Sequence, residues 1–167
     1  MAPNRPEDSV ADEVRAAIGP ALQRFGPDYW RAQDANKAFP VEFFDAIGAL
    51  GYFGTFIPEA YDGLDAGARV ASVLVEEINR AGGDASSVNA QMAICRTLVL
   101  HGSEEQKQRY LPGVASGDIR FLTVAATEPD SGANMNELAS TARRDGDDWV
   151  LNASKVLISF ATHTRLL

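Results

Sequence analysis

Ten residues in the second half of the chain stand out chemically: Ala125-Ala126-Thr127-Glu128-Pro129-Asp130-Ser131-Gly132-Ala133-Asn134. They follow an apolar run, include a proline and a glycine, and present successive backbone amides beside the Thr127 hydroxyl. Such a loop is equipped to hydrogen-bond an anion or the polar edge of a heterocycle. Pro-Asp-Ser-Gly is also an ordinary turn sequence. On the residues alone, both readings stand.

Elsewhere, reactive residue types do not fall into the patterns chemistry needs. There is no G-x-G-x-x-G, P-loop, H-E-x-x-H, C-x-x-C or G-x-S-x-G. His101 reads as a helix C-terminal residue favoured by the dipole, and His163 as a loop residue. Cys95, the sole cysteine, excludes an intramolecular disulfide and reads as a small buried hydrophobe. Glu76 and Glu77 are adjacent, so on a helix they point about 100° apart and cannot face each other. Asp145, Asp147 and Asp148 form a solvated turn. No catalytic residue and no metal ligand is assigned.

The elements that must position the loop are helical up to about residue 120. Residues 7–25 place Val10, Val14, Ala17, Ile18, Ala21, Leu22 and Phe25 at helical spacing, with Gly19-Pro20 marking a kink or an early end. Pro40 suits a first helical position, and the helix it opens stops at Gly51. A Gly- and Pro-punctuated connection covers residues 52–67. The next helix, 68–81, aligns Val70, Leu74, Ile78 and Ala81 before Gly82-Gly83. Another, 86–100, aligns Val88, Met92, Cys95 and Val99. Ser103-Glu104-Glu105-Gln106 is a capping box, opening a helix expected to end at Tyr110 or Leu111, ahead of Pro112.

Beyond Gly117 the pattern turns to β. Residues 121–126 suit a strand, 137–144 and 149–160 alternate, and Asp145-Gly146 between them is a hairpin signal. Thr164 to Leu167 reads as a further strand beginning. The expected fold is mainly α with a C-terminal β portion: an N-terminal helical bundle (residues 1–119), then the first antiparallel strands of an incomplete β domain (residues 120–167). Strands so few leave edges and apolar faces uncovered.

Composition narrows the classes further. At 167 residues, 46% hydrophobic and 23% charged, the chain is ordinary for a soluble domain with a real core. A formal net charge of −8, with 15 scattered Lys and Arg, argues against a nucleic-acid partner. No apolar run approaches the roughly 20 residues of a membrane span. Met1 to Asp8 lacks a secretory pattern, so a cytoplasmic location is expected, and the Asn152-Ala153-Ser154 sequon reads as coincidence.

Two stretches carry a resemblance: Thr127-Glu128-Pro129-x-x-Gly132 and, about 25 residues on, Asn152-x-x-Lys155-x-x-Ile158-Ser159. Upstream, in order, stand Pro58-Glu59-x-Tyr61-x-Gly63, then Glu76-Glu77. Gly102-Ser103-Glu104-Glu105-Gln106-Lys107-x-x-Tyr110-Leu111-Pro112 follows. Each motif is weak alone, but this order and spacing resemble the acyl-CoA dehydrogenase family from about Phe39 to Ala161.

The resemblance implies a helical domain, a central β domain and a C-terminal helical bundle, with FAD against the central sheet. Val124, Ala125, Ala126, Thr127, Gly132 and Ala133 would then border the flavin. The Thr127 hydroxyl and the Ala126 region would touch its ring, while Leu157, Ile158 and Ser159 would face the other edge, Ser159 toward N5. Polar groups there stabilise the charge of reduced flavin. The chain departs from the family at three places: Leu157 replaces the usual Trp, Ser159-Phe160 the usual Thr-Asn, and Ala133 a serine that helps hold acyl-CoA.

The family's catalytic glutamate lies in the C-terminal bundle, beyond Leu167. The implied function is the N-terminal part of an FAD-dependent acyl-thioester dehydrogenase of fatty acid or secondary metabolism. Its substrate would be an acyl-CoA or acyl-carrier thioester, its electron acceptor an electron-transfer flavoprotein or oxygen, and its partner a second copy or a complementing chain. Two alternatives stand beside it: a flavin-dependent monooxygenase on the same scaffold, and a non-catalytic truncated helical module that binds a partner or completes a split enzyme.

Overall fold

Helices α1 (Pro6–Gln23), α2 (Pro27–Asn36), α3 (Val41–Gly48), α4 (Gly67–Arg80), α5 (Ser86–His101) and α6 (Glu104–Ser116) precede an antiparallel hairpin of β1 (Thr141–Asp145) and β2 (Asp148–Asn152). This computed structural model describes residues 6–167, with side chains from Ala11 onward. The core position given to Val10 lies outside the described side chains, as does the reading of Met1 to Asp8. Helices followed by an antiparallel β portion is the fold class expected. Among the described residues, no helix is long and apolar enough to cross a membrane.

The core follows from helical periodicity. Val70, Leu74 and Ile78 of α4, Phe43, Phe44 and Ile47 of α3, Val88 and Met92 of α5, and Ile18 of α1 are buried together. A second cluster gathers Ile57, Cys95, Leu111, Val114, Ala115 and Phe121. Each fully buried Leu, Ile or Phe contributes about 1.5–3 kcal/mol, so these few faces hold the bundle. The Ser103 cap forms as the sequence predicts: its Oγ accepts from the Gln106 amide at 3.2 Å, and Gln106 Oε1 accepts from the Ser103 amide at 2.8 Å.

Three helical expectations are corrected. Helix α1 runs through Pro20 to Gln23: Pro20 and Ala16, whose carbonyl loses its partner, are both exposed, so water meets the loss. Helix α6 likewise passes Pro112 and ends at Gly117 (φ +88), because burial of Leu111, Val114 and Ala115 offsets the missing bond. Pro40 is the N-cap of α3 rather than its first residue. Helix α2 was not expected at all. None of its residues is fully buried, and only Tyr29 and Trp30 lean on the core.

The connection between α3 and α4 is ordered. Two 3₁₀ turns, Tyr52–Phe56 and Glu59–Tyr61, fold it back on itself. The amides of Leu64, Asp65 and Ala66 bond the carbonyls of Gly54, Ile57 and Thr55 at 2.8, 3.0 and 2.9 Å. Gly63 sits against this turn so closely that a Cβ would lie 1.8 Å from the Ile57 carbonyl oxygen.

The β expectations contract. The hairpin pairs Thr141 with Asn152 through Asp145 with Asp148, and Gly146 (φ +62) supplies the left-handed residue of its two-residue loop. Residues 121–126 form no strand, because no other strand lies alongside. Their hydrogen bonds go instead to the side chains of Gln91, Thr164 and Lys155 and to the Ser159 and Val124 carbonyls. Residues 164–167 are also not a strand: the Arg165 and Leu166 amides return to the Arg120 carbonyl at 2.8 and 3.4 Å.

Candidate functional site

The path into the loop is set by one buried side chain. Gln91 of α5 is fully buried; its Nε2 donates to the carbonyls of Val114 (2.9 Å) and Ile119 (2.8 Å), and its Oε1 accepts from the Phe121 amide (2.8 Å). Phe121, Leu122 and Thr123 are thereby sealed against the helices. A buried amide with donors and acceptor all satisfied fixes the backbone on which the next residues emerge.

From there, two segments far apart in sequence run side by side. Thr123 Oγ1 donates to the Ser159 carbonyl at 2.5 Å. The Val156 amide donates to the Thr127 carbonyl at 3.0 Å. Lys155 Nζ donates to the Ala126 carbonyl at 3.1 Å and pairs with Glu128 Oε1 at 2.7 Å. The structure thus joins residues 123–128 to 155–159, segments that overlap the two stretches singled out in the sequence. The Glu128 and Ser131 backbones bond each other at 2.9 and 3.2 Å, and Ser131 Oγ donates to the Asn134 carbonyl at 2.6 Å, closing the turn.

Of the expected site residues, Ala125, Ala126, Thr127 and Ile158 are half-buried, whereas Val124, Gly132, Ala133, Leu157 and Ser159 are exposed. Leu157 is 90% exposed and holds a left-handed φ of +56. Cys95 is buried as expected, its thiol pushed up to about 12 by burial and donating to the Met92 carbonyl at 3.1 Å. His163 stacks on Phe39 at 4.8 Å, with the Arg120 guanidinium over the same ring at 4.9 Å. Among the described residues no cluster could hold a metal ion.

The sequence reading gave no role to Gln91 or Thr123, and marked Glu128 and Lys155 only as motif residues without a structural part. Glu128 is nearly buried: besides Lys155, it accepts from the amides of Ala139 (2.6 Å) and Ser140 (3.1 Å), where the chain enters β1. Lys155 foremost, then Ser140 and Ala139, pull its carboxyl from 4.5 down to about 2. A depressed folded pKa stabilises above the unfolded value and is lost as pH falls toward the folded one. The chain should therefore lose stability between pH 4.5 and 2. Glu128→Gln should lack that component. Urea midpoints at about pH 5 and about pH 3 test it; an equal acid loss in both proteins would refute the assignment.

Residues 7–118 match the family profile described as "Acyl-CoA dehydrogenase, N-terminal domain". The chain is 34% identical over 154 residues to the acyl-CoA dehydrogenase FadE12 of Mycobacterium tuberculosis, covering 92% of this chain and 39% of that one. It superposes on the acyl-CoA dehydrogenase of Geobacillus kaustophilus with a TM-score of 0.84 at 26% identity, covering 96% of this chain and 41% of that one. A Bacillus anthracis acyl-CoA dehydrogenase complexed with FAD matches with a TM-score of 0.69 at 30% identity, over 91% of this chain and 26% of that one. The chain spans about two fifths of the length of the first of these.

Proposed function

This chain belongs to the acyl-CoA dehydrogenase family, and from that premise we propose that it forms the helical N-terminal part and first flavin-facing segments of an FAD-dependent acyl-thioester dehydrogenase. The supporting observation is the side-by-side packing of residues 123–128 and 155–159 through the Thr127–Val156 and Thr123–Ser159 bonds.

The residues fit FAD. The hydroxyls of Thr127 and Ser159 have no hydrogen-bond partner among the described residues, and they lie on the two joined segments. Val124 and Leu157, both largely exposed, offer apolar contact on the same segments. Thr127 and the Ala126 backbone would hold the polar edge of the ring, with Val124, Ala125, Gly132 and Ala133 bordering it. Leu157, Ile158 and Ser159 would face its other edge. When bound, FAD would accept hydride from the thioester substrate. The protein's part here is to bind the ring, orient it and donate hydrogen bonds where charge develops.

The division at residues 1–119 and 120–167 follows the same reading: a helical scaffold, then flavin-facing loops. Acyl-CoA or an acyl-carrier thioester would be the substrate, an electron-transfer flavoprotein or oxygen the acceptor, and a second copy or a complementing chain the partner. By the family resemblance, the catalytic base would lie in the length of the relatives that this chain does not span. A monooxygenase on the same scaffold is the second reading. It is favoured by the exposed Ala133, which offers no hydroxyl to a thioester, and is separated by oxygen consumption without an added acceptor.

The purified chain, given FAD and freed of excess, should keep a visible flavin band. Thr127→Ala and Ser159→Ala should each weaken retention by about tenfold, as for a lost hydrogen bond worth about 1.4 kcal/mol. A helical chain that keeps no flavin would overturn flavin binding by this chain alone and favour a scaffold completing another polypeptide.

A further inference from the structure

We propose that Lys155 is a positioning residue, its ammonium stapling the two flavin-facing segments to each other and setting their spacing. The inference rests on the flavin reading above for its purpose, though not for its geometry. Successive residues do the joining: Lys155 Nζ reaches the Ala126 carbonyl at 3.1 Å, and the Val156 amide reaches the Thr127 carbonyl at 3.0 Å. The ammonium has a third tie, to Glu128 at 2.7 Å, and that carboxylate also holds the Ala139 and Ser140 amides. One cation therefore links the loop, the second segment and the entry to the hairpin.

The pair is placed where charge counts. The Lys155 and Glu128 side chains are 21% and 5% exposed, so their attraction is poorly screened. Removing the ammonium strips the Ala126 carbonyl of its bond partner and leaves a nearly buried carboxylate without its cation, which is costly. The neighbouring backbone shows what the staple holds. Leu157 keeps φ +56 although it is not a glycine, a conformation that persists when its surroundings over-determine it. Those surroundings are Lys155 and Val156 on one side and the Ser159 carbonyl bond on the other. Freed at Lys155, residues 157–159 would relax away from Thr127. Lys155 bonds a carbonyl and a carboxylate of its own chain, so its influence on the ring would pass through Thr127 and Ser159.

The test compares Lys155→Met and Lys155→Arg in the 167-residue chain. Lys155→Met should speed exchange of the Val156 amide about tenfold or more while amides of α4 and α5 keep their protection. It should also weaken FAD retention about tenfold and alter the shape of the visible flavin band. Lys155→Arg, which keeps a charged donor, should restore all three. Unchanged Val156 exchange in Lys155→Met would overturn the staple even where FAD binds. Equal flavin band shape and affinity in Lys155→Met and the parent would overturn its role toward the ring. A parent chain that binds no FAD would sink the flavin reading, and Val156 exchange would still decide the staple.

Discussion

Gln91→Leu is expected to cost the fold about 3 kcal/mol, since leucine fills the volume but pairs with nothing. The Val114 carbonyl keeps a second donor, the Gly117 amide at 3.3 Å. The Phe121 amide loses its partner in a buried setting, and the Ile119 carbonyl loses its own in a half-buried one. Each such orphan costs about 1–3 kcal/mol. The urea midpoint should fall with an unchanged slope, as expected for lost stability without altered compactness. Phe121 amide exchange should rise with it. A variant within about 0.5 kcal/mol of the parent would show that water or a shifted backbone replaces the glutamine.

Gly63→Ala should be the most damaging of the glycine-to-alanine changes. An added Cβ would meet the Ile57 carbonyl oxygen at 1.8 Å, its carbon at 2.3 Å and the Ile57 Cβ at 2.6 Å. Two of these are backbone atoms of a residue that is itself fully buried, so no side-chain rotation relieves the clash. The turn must open, breaking bonds such as Asp65 to Ile57 and Ala66 to Thr55. A loss of about 3 kcal/mol or more follows, near the upper range for overpacking. Gly132→Ala is the control, because nothing lies within 4 Å of its Cβ. Thermal melts of both variants decide the matter. Equal melting of Gly63→Ala and the parent would mean the turn packs more loosely than described.

What could be read from the sequence was what repeats locally. The stripe Val70, Leu74, Ile78 and the Ser103–Gln106 box are short-range patterns, and α4 and the start of α6 form where those patterns put them. Helix α2 escaped because none of its residues is fully buried; its remaining signal was Gly26-Pro27 with Asp28 in the first turn. The Pro112 stop failed for a tertiary reason, since burial of Leu111 and Val114 outweighs one missing hydrogen bond. Apolar character alone suggested a strand at 121–126, yet a strand needs a neighbour. That segment's hydrogen bonds go to Gln91, Thr164 and Ser159. In the site, the two motif stretches overlap the segments that meet, although the sequence did not show their direct contact. The anchors Gln91, Glu128 and Lys155 act across 11 to 30 residues of chain, and such contacts leave no periodic trace.

The hairpin's isolation has an optical consequence. The chain carries two tryptophans. Trp149 on β2 stands 63% exposed, whereas Trp30 is wedged edge-on between Tyr29 at 5.3 Å and Phe43 at 4.8 Å. Their fluorescence should therefore divide by location: a redder emission, readily quenched by a dissolved ion, from the hairpin, and a bluer, shielded one from the helices. With Trp30→Phe the remaining light comes from β2 alone, so anything that settles onto that ribbon would announce itself as a blue shift.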